Sequence, residues 1–258
     1  MPPTKLFAPG PFQAHQLRSG DPYELSNGHP VLCLPTGGRG ARANLLGGAV
    51  LETDPAVEQA GVDAGFSPEP GTMRAPDVAV GNVPDVAGWV HGAPPLAVEY
   101  ADRGQDEEEL QAKITELLAA GTQQVWVVRL TGPRRVEVYT PGQERRIVKP
   151  GESLVAPGIL KNPVPVEALY DREAAHEVTL RNLLQRRGFE SLEAVQEGAR
   201  EAGQLAHARA VLRRQLGKRG IPLDATQEAQ IEGTADLETL DRWLDQALVS
   251  RSADEALR

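Results

Sequence analysis

The pattern of apolar and polar positions divides the chain in two. Up to about residue 170, short apolar runs alternate with turns rich in Gly and Pro. "QVWVVRL" is continuously apolar and predicts a central, buried strand. "AGVDAGFSP", "PDVAVGNV" and "PPLAVEYAD" predict further strands. "RRVEVYT" alternates, ends at Pro141-Gly142, and pairs naturally with "ERRIVKPGE". In "YELSNGHPVLCLP" the pair Asn27-Gly28 sits between two short runs, the signature of a hairpin. "ARANLLGGAVLE" (41–52) stays ambiguous, because its apolar spacing permits a helix while Gly47-Gly48 weakens one.

One helix is predicted over 106–120. Acidic residues Asp106 to Glu109 fill its first turn, as the helix dipole favours. Its apolar stripe is Leu110, Ile114, Leu117 and Leu118, and Gly121 follows as a stop. Strand–helix–strand is a crossover unit, so the strands of Glu99 and Trp126 are expected to be parallel neighbours.

From 172 the period changes to helical. "REAAHEVTLRNLLQRRG" predicts a helix ending at Gly188, and Ser191 caps a long one. Along that helix Val195, Ala199, Ala202 and Ala206 form a thin small-residue seam. Val211, Leu212 and Leu216 form a thicker one, and "TADLETLDRWLDQAL" predicts a last short helix. The expected division is therefore 1–171, an α/β domain, and 172–258, an all-α appendage suited to self-association or a protein partner.

Composition narrows the function classes. The chain has 258 residues, 40% apolar and 24% charged, as a globular protein has. Its aromatic content of 4% argues against a base-stacking platform. A single cysteine, Cys33, excludes an internal disulfide framework and fits a reducing cytoplasm. No run of about 18 apolar residues is present, so no membrane span is expected. "MPPTKLFAPGPF" lacks the apolar segment of a secretory leader. The net charge of −9 argues against bulk non-specific DNA binding, though a nuclease needs to be basic only along its groove. Residues 129–149 are locally basic, and read either as a solvated hairpin or as a DNA-backbone contact.

The candidate chemistry lies in Asp77 of "RAPDVAV", Glu99 of "PPLAVEY" and Lys113 of "ELQAKITELL". Two carboxylates and a lysine are the parts of a metal-dependent phosphodiesterase. The carboxylates hold Mg²⁺ or Mn²⁺, and the lysine balances developing charge. Each has a plainer reading. Asp77 follows Pro76 as a turn residue would, Glu99 can face solvent by alternation, and Lys113 can snorkel from the flank of its helix. Asp63 reads as a further carboxylate of the site or as a strand-surface residue. His15, His29, His91, His176 and His207 are scattered without ligand spacing.

Taken in order, "DPYELSNGHPV", "RAPDVAV", "PPLAVEY", "KITELLAAGTQQVWVV" and "GESLVAPGILKNPVPVEALY" resemble the Uma-type restriction endonucleases of the PD-(D/E)XK nuclease superfamily over about residues 15–171. The resemblance implies a restriction-endonuclease-like mixed central sheet flanked by helices, and a Mg²⁺-dependent cut in DNA. By position it implies Asp77 and Glu99 as metal ligands. Ala101 stands where the superfamily lysine is usual, and Lys113 matches members whose lysine lies on the helix. Leu117 and Arg129 replace residues usual in the family. Two functions follow as expectations, both as a homo-oligomer: a metal-dependent DNA endonuclease, or a nuclease fold retained as a structural or interaction module.

Overall fold

The computed structural model describes residues 10–258; the leader reading of the first residues falls largely on 1–9, outside the described residues. Two compact units divide between Gly188 and Phe189.

The first unit opens with strands β1 (Tyr23–Ser26) and β2 (His29–Leu32), paired antiparallel. Asn27 and Gly28, at φ +49° and +80°, make the left-handed two-residue turn their sequence predicts. Helix α1 (Gly38–Glu52) follows, so the ambiguous stretch is helical. Then come β3 (Ala60–Val62), β4 (Phe66–Ser67), β5 (Val78–Val80), β6 (Val90–His91) and β7 (Leu96–Ala101). The expected strand "AGVDAGFSP" is thus two strands, broken where Asp63 turns at φ +51°. Helix α2 (Glu107–Ala119) starts at Asp106, whose carboxylate accepts from the amides of Glu108 and Glu109. After it run β8 (Gln124–Arg129), β9 (Arg135–Tyr139), β10 (Arg146–Val148), β11 (Ser153–Leu154) and β12 (Val164–Pro165).

Six strands form one mixed sheet in the order β10-β9-β8-β7-β5-β3. β7 and β8 are parallel, as the crossover through α2 requires, and the other neighbours are antiparallel. β7 is buried along its whole length. Val98, Tyr100, Trp126 and Val128 project to one face, where they join Ala43, Val50 and Leu51 of α1 in one core. Ala97, Ala101, Val125 and Val127 project to the other, against Leu110, Ile114 and Leu117 of α2.

Helix α3 (Arg172–Arg186) belongs to this first unit, which moves the expected boundary at 171 one helix onward. Ala175 and Val178 enter the core of α1 and the sheet. The Arg186 guanidinium donates to the carbonyls of Glu52, Thr53, Asp54 and Val57, and so satisfies the open end of α1.

The second unit holds α4 (Leu192–Lys218), α5 (Ala225–Gly233), α6 (Leu237–Ala247) and α7 (Ala253–Ala256). Its core gathers Ala208, Leu212, Leu216, Ile231, Leu240 and Trp243. The thicker seam of α4 is therefore 208–212–216, while Ala199, Ala202 and Ala206 are exposed. No helix among the described residues is long and apolar enough to cross a membrane.

Candidate active site

Sheet register brings the acidic residues into one row. Val62 pairs with Val78, and Val78 with Val98. Glu99 lies within β7, Asp77 just before β5 and Asp63 at the bend just after β3, so the three carboxylates gather at one end of these adjacent strands. Within β7 Glu99 alternates with Val98, so it projects to the face that α2 covers. Glu99 is buried, Asp77 is half-buried and Asp63 is exposed, so the row runs from the interior to solvent.

Lys113 enters the row from α2. It lies one residue before the buried Ile114, so its stem runs along the sheet and its head reaches the strand ends. The ammonium donates to the carbonyl of Ala75 at 2.8 Å, just ahead of Pro76-Asp77. It also lies 2.9 Å from Glu99 Oε1. Glu99 Oε1 has no aligned hydrogen bond although it is fully buried. Asp77 is oriented differently: its Oδ2 accepts the Tyr100 amide at 2.6 Å.

Two residues of the site were not singled out from the sequence. Glu24, on β1, places Oε1 3.1 Å from the Lys113 ammonium. Its Oε2 accepts from Arg74 at 3.1 Å. Arg74 is 2% exposed and also donates to Glu109 and Glu116 of α2, at 2.6 and 2.5 Å. Ser26 donates to Glu116 at 2.5 Å, so the hairpin is tied to α2 twice. The one local signal was a carboxylate beside Leu25 in a four-residue strand. A carboxylate in such a place is costly to bury unless paired.

The electrostatics follow from this crowding. Burial pushes the Glu99 carboxyl up to about 8; Asp77 and Glu24 add to the rise, and the Lys113 ammonium opposes it. Asp77 is raised by burial too, with Asp63 and Glu24 adding and Lys113 and the Tyr100 amide opposing. Burial disfavours the charge of Lys113, but Glu99, Glu24 and Asp77 together hold its ammonium protonated above the ordinary lysine range. Three carboxyl groups, Glu99, Glu24 and Asp77, thus surround one lysine.

The donor set suits a divalent cation held by few protein ligands. Among the described residues no three His, Cys, Asp or Glu side chains converge as a closed metal cage. Magnesium is commonly held by one or two carboxylates, with water and substrate phosphate completing its shell. Asp77 and Glu99 are such a pair, and Glu99 Oε1, buried beside the Lys113 ammonium, is an acceptor of the right kind.

The basic hairpin lies apart from this row. Arg129, Arg135 and Arg145 gather around the buried Glu137, and Arg129 also pairs with Glu107. Arg134 stacks over the Tyr170 ring. Glu107 and Gln111 of α2 face this cluster, while Lys113 and Glu116 face the acidic row, so α2 separates the two. In the second unit, a groove of about 530 Å³ between α4 and α6 is walled mainly by apolar and small side chains, Leu237 and Leu244 among them, with Arg200, His207 and Asp241 also lining it.

The family-level model of Uma2, described as a putative restriction endonuclease, matches residues 11–164. A crystal structure of a putative nuclease belonging to DUF820 from Anabaena variabilis is similar in fold, with a TM-score of 0.54 and 18% identity. The similarity covers 64% of this chain and 99% of that one. No curated protein matches the chain.

Proposed function

The chain belongs to the Uma2 family of restriction-type endonucleases, and from that premise we propose that it hydrolyses phosphodiester bonds in DNA at the row Asp63–Asp77–Glu99. The observation that carries this reading is the meeting of Asp77, Glu99 and Lys113 at one end of the sheet, from three separate elements. Asp77 and Glu99 would hold a divalent cation, Mg²⁺ or Mn²⁺, with Asp63 nearest solvent. Bound there, such an ion would polarise the phosphate and lower the pKa of a water.

The chain's own residues supply the rest. The Tyr100 amide fixes Asp77 through Oδ2 and leaves the other oxygen for a ligand. Lys113 holds a full positive charge beside Glu99, where it can meet the charge that builds on the phosphate oxygens. The α2 stripe of Leu110, Ile114 and Leu117 keeps water from beneath the site, so that charge acts through a low dielectric.

Plasmid nicking by the purified protein in Mg²⁺ and in Mn²⁺ tests the reading, beside Asp77→Asn, Glu99→Gln and Lys113→Met. Wild type should nick, and each variant should lose about 10²–10³-fold in rate or more. Folded wild type that does not nick, or Glu99→Gln that still does, overturns it.

A further inference from the structure

Lys113 poses a problem for a metal centre. Its ammonium stands 2.9 Å from the very oxygen, Glu99 Oε1, that a divalent cation would take. Were Glu99 its only carboxylate, the lysine would be a competing cation, repelling the metal at close range. Glu24 supplies a second seat. Its Oε1 is 3.1 Å from the same ammonium, and its Oε2 is held by Arg74. Arg74 in turn is fixed by Glu109 and Glu116 of α2 and is almost wholly buried. The main chain holds the same place, since Leu25 and Met73 exchange two backbone hydrogen bonds beside Glu24 and Arg74. Glu24 is therefore oriented before any ligand arrives.

We propose that Glu24 is a positioning residue of this site: it receives the Lys113 ammonium when a divalent cation occupies Glu99 and Asp77, so that lysine and metal share the centre instead of competing for it. The inference rests on the metal role given to Asp77 and Glu99 above. It assigns the hairpin that carries Glu24 a part in the chemistry.

Mn²⁺ binding, followed by electron paramagnetic resonance and by calorimetry on the full chain, tests it without reference to cleavage. Five proteins are compared: wild type, Glu99→Gln, Glu24→Gln, Lys113→Met and the double variant Glu24→Gln/Lys113→Met. Without its second seat the ammonium stays on Glu99, so Glu24→Gln should weaken Mn²⁺ binding by about 10- to 100-fold. Removing the lysine as well should recover most of that loss. A carboxylate that served only as a metal ligand, or only to hold the hairpin, would cost as much affinity in the Lys113→Met background as in wild type, whereas a seat for the lysine would cost little there. Should Glu24→Gln melt before it can be titrated, Glu24→Asp takes its place, since it keeps the charge beside Arg74 but withdraws the oxygen from Lys113. Unchanged binding in the Glu24 variants, or no recovery in the double variant, overturns the inference while leaving the metal site standing. Wild type that binds no Mn²⁺, or binds it equally in Glu99→Gln, overturns the metal site and this inference with it.

Discussion

At the scale of single residues, the acidic row is expensive to fold. Glu99 is buried and its carboxyl is raised to about 8, chiefly by loss of water. Its ordinary value is 4.5, so folding favours the protonated form. That contribution to stability is complete below about pH 4.5 and is lost as pH rises through about 8. Without divalent cations, the melting temperature of wild type should therefore fall relative to Glu99→Gln across that window. Melting curves that stay parallel would refute a raised carboxyl. Arg74 makes the opposite case, a cation whose removal strands Glu24, Glu109 and Glu116. Arg74→Ala should cost about 3–5 kcal/mol in urea denaturation, and a loss under 1 kcal/mol would show the network to be dispensable. Asp77, Glu99 and Lys113 were legible in the sequence because each lies in a short motif. Glu24 and Arg74 fall within short motifs too, but their pairing across 50 residues has no local signal.

At the scale of elements, the longer strands of the sheet and α2 were legible from periodicity, whereas α1 and the two-residue strands β4, β6, β11 and β12 were not. Gly47-Gly48 reads as a helix weakness, since glycine costs about 1 kcal/mol against alanine in a helix. The packing reverses that reading. A methyl group at Gly47 would collide with the Tyr100 hydroxyl of β7, and one at Gly48 would touch Val62 and Val78. The glycines let α1 lie close on the sheet that carries Asp77 and Glu99. Gly47→Ala should thus destabilise the protein by about 1–3 kcal/mol despite its better helix propensity. The Tyr100 hydroxyl is buried without a hydrogen-bond partner. Tyr100→Phe should therefore be neutral or slightly stabilising, and in its background Gly47→Ala should cost less. Equal costs for Gly47→Ala in both backgrounds would mean the hydroxyl is not the obstacle.

At the scale of the whole molecule, the change from period two to period 3.6 near residue 172 was legible, but the border of the compact unit was not. A change of period marks where helices begin, not which core they join. α3 is helical like the tail, yet Ala175 and Val178 bury themselves with α1, and Asn182 donates to the Val50 carbonyl. Arg186 adds four charge-assisted bonds to the end of α1, a pairing across some 130 positions that no local pattern reveals. Two truncations separate these descriptions. A chain ending at Gly188 keeps every contact named for the first unit, so it should fold and keep the wild-type affinity for Mn²⁺. A chain ending at Asp171 loses a buried valine, worth about 1.5–3 kcal/mol, and the bonds of Arg186, each about 1.5–3 kcal/mol when a charged group is one partner. It should unfold at clearly lower urea, and the C-terminal turn of α1 should exchange its amide hydrogens faster. Equal urea midpoints for the two chains would place α3 outside the cooperative unit and return the border to 171.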